Sequence, residues 1–177
     1  KPILDSLGID KNKPEKQQRN QTGSPILEEG DILLNTTLAE TSDWQQVDLP
    51  VVSTLRHFCI ETLSSYTEDN QECISEVDLL DDKGQPIDKT KWEVVYVSSE
   101  QADKNLGIAE NLFDGDISSF WHTDPATEPG QPHRIIVDIK EIYKISALRF
   151  KVRKGAFLSG KVKEINVYGR PQFFLFH

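Results

Sequence analysis

The sequence is short of several things, and each deficit narrows what it encodes. Positive charge is outnumbered: 20 Lys and Arg against 29 Asp and Glu leave a formal net charge of −9. That balance disfavours nucleic acid or an anionic membrane as the main partner, because both would repel the average surface field. No apolar run approaches the roughly 20 residues of a membrane-spanning helix. Nowhere does an apolar stripe of 3.6-residue period persist for three turns, which argues against a helical bundle. There is no nucleophile motif, no metalloprotease motif and no phosphate loop, so a complete enzyme is not expected. The sequence opens at Lys1 without signal-peptide features, which leaves a cleaved or trimmed leader open. Only two cysteines occur, Cys59 and Cys73. They allow a disulfide across a broad hairpin, fitting an extracellular protein, or two buried thiols. Asn20 and Asn35 each begin a sequon for N-glycosylation.

What is present is alternation. Residues 1–29 carry Lys11, Lys13, Lys16, Arg19 and three prolines with few periodic apolar positions, and read as a flexible N-terminal arm or linker. From residue 30 to 177 the texture changes to short strands parted by turns: 32–38, 44–49, 55–63, 74–80, 92–97, 135–139, 143–153, 162–168 and 173–176. Phe58, Ile60 and Thr62 should face away from His57, Cys59 and Glu61. Trp92, Val94 and Tyr96 should likewise oppose Val95 and Val97, and Leu148, Phe150 and Val152 should oppose Arg149, Lys151 and Arg153. Residues 109–113 suit one helical turn. Trp44, Trp92 and Trp121 are expected in the core. The predicted fold is therefore all-β, a jelly-roll β-sandwich over 30–177.

The organising stretch runs from 108 to 138. Asp114-Gly115-Asp116 places carboxylates about a glycine turn, and Phe120-Trp121-His122-Thr123 follows at once. Hard oxygen ligands beside a short strand with a large aromatic anchor point to a metal-pinned loop.

With Trp92 to Glu100, Asn111 to Thr123, Pro132 to Ile139 and Arg149 to Tyr168 laid out, the chain resembles the discoidin, or coagulation-factor type C, family. It is most similar to the galactose-binding carbohydrate-binding modules of that family. The segment order is unusual, since the stretch 55–80, with Ser75-Glu76 in its last strand, precedes the part that normally comes first. That implies either a circularly permuted jelly roll or the end of one module joined to an incomplete second; permutation is preferred, because about 150 residues suffice for one sandwich.

The resemblance implies a structural calcium. Asp114 and Asp116 would offer side-chain oxygens, Asn111 and Ser119 backbone oxygens, and Ser75 and Glu76 would close the shell. It also implies a sugar site with His122 and Arg153 as polar ligands. Pro125 stands where the family has an aromatic, and Ser159 where it has an asparagine; Phe157 is the candidate replacement platform and Glu100 an additional acceptor.

The function expected is a non-catalytic module recognising a galactose-type or related glycan, secreted, with an appended catalytic domain in a larger protein. The alternative is a protein- or phospholipid-binding adhesion module of the same fold. It would use a loop tip of Lys151, Arg153, Lys154, Phe157 and Leu158.

Overall fold

A computed structural model describes residues 19, 21–67, 71–126, 132–152 and 161–177. Among the described residues eight strands are present: β1 (Ile32–Thr37), β2 (Gln45–Thr62), β3 (Cys73–Ile74), β4 (Glu76–Asp81), β5 (Glu93–Val97), β6 (Trp121–His122), β7 (His133–Lys151) and β8 (Glu164–Arg170). Among the described residues the helical elements are three short 3₁₀ turns, Glu29–Asp31, Asp103–Asn105 and Ala109–Phe113. The last is the single helical turn expected from the sequence.

All pairing within the sheets is antiparallel. The main sheet runs β1-β8-β2-β7-β4, with β5 also on β7, and a small ribbon joins β3 to β6. The long strands β2 and β7 organise this. β5 takes the first half of β7, from Glu93 opposite Asp138 to Val97 opposite Ile135, and β4 takes the second half, from Glu76 opposite Lys151 to Asp81 opposite Ile145. Between the halves the register between β2 and β7 shifts twice, around residues 49–52 of β2 and again between Leu55 and His57. Lys140 has a left-handed φ of 74° at that bend, and such irregularities turn a strand through a corner. The halves thereby form two layers of a jelly-roll sandwich.

This corner explains why β2 and β7 each read as two strands. Pro50 has no N–H to give a ladder, which normally ends a strand; here it falls where the ladder is already interrupted, so the strand continues beyond it.

One core fills the space between layers. Phe58, Ile60, Ile135, Val137 and Val167 meet Val77, Leu79, Leu148 and Phe150 there, as the alternation requires. Burying each such side chain stabilises the fold by roughly 1.5–3 kcal/mol before entropy is counted. Trp121 is fully enclosed and Trp92 nearly so, whereas Trp44 is half-buried with Arg149 and Lys151 over its ring. Trp44 is thus a cation-holding surface residue rather than a core one. In β5 a bulge between Val94 and Tyr96 breaks strict alternation. Val97 joins the main core as a result, and Tyr96 turns to the opposite face.

That opposite face of the sheet carries a second cluster of Cys59, Ile136, Tyr168 and Phe174. Phe174 alone of residues 173–176 is well buried; Phe173, Leu175 and Phe176 are exposed. The terminal stretch is therefore a cover strip rather than the closing strand expected over 173–176. It pairs with the other end of the domain: Ser24 N donates to His177 O at 3.0 Å, His177 N to Ser24 O at 3.1 Å, and Ile26 N to Leu175 O at 2.8 Å. Of the expected arm, residues 1–18 and 20 lie outside the described residues, while 21–29 and Arg19 contact the sandwich. Both cysteines are buried, and the hairpin disulfide is not formed.

Candidate functional site

The acidic turn after Phe113 folds on its own hydrogen bonds. Gly115 adopts a φ of 79°, which an L side chain resists. Asp114 Oδ1 accepts from Asp116 N at 2.9 Å, and Asp114 Oδ2 from the Ser119 hydroxyl at 2.6 Å. Asp116 Oδ1 accepts both the amide and the hydroxyl of Ser118. Asn111, just before the turn, is buried and donates through Nδ2 to the carbonyls of Asn105, Leu106 and Phe120, which fixes the loop ends together.

β4 brings Glu76 to this turn. Its side chain is nearly fully enclosed, and Oε2 accepts from Gly115 N at 3.1 Å. Ser75 beside it is buried and donates its amide to Lys151 O. Six residues named from the sequence, Ser75, Glu76, Asn111, Asp114, Asp116 and Ser119, therefore lie on two segments that meet.

A participant that sequence reading missed is Lys89. Its ammonium donates to Glu76 Oε2, to Asp78 Oδ1 at 2.6 Å and to Val77 O at 3.1 Å. Burial pushes the Glu76 carboxyl up to about 7, against the opposing pull of Lys89. One more lysine in the charged turn 88–91 gives no periodic signal, and only the tertiary approach of that turn to β4 reveals it.

The donor set fits a calcium ion in kind: every available group is a hard oxygen. Glu76 Oε1 is buried without a hydrogen-bond partner, which is what a missing cation would leave. Among the described residues no three carboxylates, imidazoles or thiols converge on one point. A cation here would thus depend on backbone oxygens as well as side chains.

The sugar-site residues are only partly gathered. Arg153, Phe157 and Ser159 lie outside the described residues. His122 sits in β6 opposite Cys73 and is 6% exposed, with Nδ1 2.6 Å from Thr123 O. That distance assigns the Nδ1–H tautomer, with the ring donating. The backbone of His122 carries a loop: Gln101 N donates to His122 O at 2.8 Å, and His122 N to Gly107 O at 3.1 Å. Gly107 permits this approach, since a Cβ there would stand 2.9 Å from His122 Cβ.

The loop held in this way opens onto a cavity of about 640 Å³. Glu100, Asp103 and Asp124 line it with Arg19, and Val97, Ile108, Pro125 and Ala126 supply apolar wall. Ser99 joins the two rims: its carbonyl accepts Trp121 Nε1 at 2.9 Å and its hydroxyl accepts Asp124 N at 2.8 Å. Trp121 is thus the buried post on which the cavity mouth is hung. Glu100 is already engaged. Arg19 Nε donates to its Oε2 at 2.6 Å, Arg19 Nη2 to its Oε1 at 3.2 Å, and Ala109 N also donates to Oε1 at 3.1 Å. Glu100 thus anchors Arg19 and the loop before Ala109, while its Oε2, with one bond, keeps capacity to accept another.

Of the basic tip of the alternative reading, Lys151 alone falls among the described residues. Lys151 is buried and donates to Ser42 O at 2.8 Å, and residues 153–160 lie outside the described residues. Among the described residues no helix is long and apolar enough to cross a membrane.

A family model described as the F5/8 type C domain matches residues 94–172. Over 84 residues, 46% of this chain, the sequence is 33% identical to a protein named Sialidase from Micromonospora viridifaciens. The match covers 13% of that protein, so the chain spans a small part of the length of this relative.

Proposed function

We propose that the chain is a non-catalytic carbohydrate-binding module of the F5/8 type C, or discoidin, kind, part of a larger secreted, glycan-active protein, since that domain model matches residues 94–172. The observation that carries this is a cavity at the loop end lined by both hydrogen-bonding groups and aliphatic side chains. A sugar ring, with its hydroxyls and its C–H face, calls for both kinds of partner. Similarity to a sialidase over 46% of the chain supports attachment to a glycan-active protein. A module of this kind acts by holding its partner near the substrate, raising effective concentration without chemistry of its own. A galactose-type sugar is the ligand class, with His122 and Arg153 as the polar contacts. Calcium at Glu76, Asp114 and the surrounding backbone oxygens is structural, tying β4 to the central loop.

Circular permutation is part of the same reading. The family-matching segment lacks β1 to β4, yet β2 lies between β8 and β7 in the finished sheet, and β4 covers the second half of β7. One interleaved sandwich, with residues 24–26 paired to 175–177, suits a permuted module better than two incomplete ones. A glycan array probed with the folded protein tests the function. Saturable binding to galactose-type glycans is expected, and silence across neutral and acidic sugars would overturn it.

A further inference from the structure

Arg19 lies well before the family-matching segment, yet it forms part of the cavity wall. Its guanidinium is held by Glu100 through two hydrogen bonds and by Glu110 through a third. Those bonds use Nε and Nη2; Nη1 makes no hydrogen bond to the described residues. Gln21, two residues on, fixes the segment in place: its side-chain amide donates to Val97 O and accepts from Val97 N, completing the edge of β5. A guanidinium fixed this way is a pre-oriented donor with little rotamer freedom left to lose. Its charge is already balanced by two carboxylates, and Asp103 and Asp124 add two more to the lining.

We propose that Arg19 is a ligand-contacting, specificity-setting residue of this cavity, donating through its free Nη1 to a hydroxyl of a neutral saccharide, while the surrounding carboxylates reject sugar acids. This rests on the glycan-binding reading. An acidic sugar would bring its own carboxylate beside Glu100, Asp103 and Asp124 and find no uncompensated cation among the described lining residues.

The test is calorimetric titration of the whole chain with two matched pairs, galactose against galacturonate and glucose against glucuronate. Each pair differs in having a hydroxymethyl or a carboxylate on the same ring. The neutral member of at least one pair should bind, and its acid should bind at least about tenfold more weakly. Arg19→Ala should weaken the neutral sugar by roughly tenfold, with Arg19→Lys recovering part of the loss and both variants keeping the native circular dichroism spectrum. Equal binding by wild type and Arg19→Ala, or tighter binding of the acid, overturns the proposal alone. No binding of either neutral sugar to folded wild type overturns it together with the glycan reading.

Discussion

Glu76 and Glu100 are treated alike by the fold, yet the consequences differ. Each is clasped by a long basic side chain from a distant segment, Lys89 in one case and Arg19 in the other. Glu76 is 1% exposed and keeps one oxygen without a partner. The Glu100 side chain is 12% exposed, beside an open cavity, and both its oxygens accept hydrogen bonds. The same pairing is therefore enclosed where water is excluded and stands at a cavity rim where water has access. Burial makes the difference, because removing one partner from an enclosed pair leaves an uncompensated charge, while solvent softens the loss at a cavity rim.

Lys89→Met should show the largest effect. It leaves Glu76 without its cation, and unfolding in urea with a chelator present should reveal a loss of about 3 kcal/mol. The corresponding change at the cavity, Arg19→Ala, should cost only roughly 1 kcal/mol; equal losses would erase the distinction between the regions. Calcium gives the next largest contrast. At a hundredfold excess over its Kd, calcium should stabilise the wild type by about 2.7 kcal/mol, and Asp114→Ala should abolish that gain. Lys89→Met should enlarge it, because the tethered ammonium no longer competes for Glu76. Melting curves with and without chelator measure both changes.

A smaller effect comes from a third buried carboxyl. Glu72 accepts from the Thr62 hydroxyl at 2.8 Å and lies 3.5 Å from His133 Nε2, and burial lifts its carboxyl to about 8. A carboxyl raised in the fold holds its proton more tightly there than in the unfolded chain, so its contribution is complete at low pH and is lost as pH rises through the folded value. His57 and His133 are both lowered by burial, so they oppose this only below their unfolded value. Above pH 6.5 the carboxyls act without that opposition. Stability should fall between about pH 6.5 and 8 by on the order of 2 kcal/mol, and Glu72→Gln should flatten the decline. Urea midpoints across that range provide the check.

The residues that announced the fold are those with strict alternation, such as Phe58 with Ile60 and Leu148 with Phe150, because a period of two reports a buried face directly. Where geometry departs from period two, the sequence is silent. The bulge that turns Tyr96 away from Val94, and the corner at Pro50 and Lys140, depend on cross-strand register. At the candidate site, the acidic turn was legible through Asp-Gly-Asp, and Glu76 through its resemblance to a family strand. Lys89 and Arg19 were not, since a lone basic residue in a charged segment looks the same whether it is solvated or clasped. Only the folded chain brings positions 19 and 100, or 89 and 76, within bonding distance.

The most direct test of the glycan-binding account is a two-dimensional amide NMR spectrum of the folded protein titrated with galactose. The account predicts saturable shifts concentrated at residues 98–103 and 122–126, around the cavity and His122. A spectrum that does not move, or one that moves only at the exposed corner of Val51, Val52 and Ile142, would contradict it.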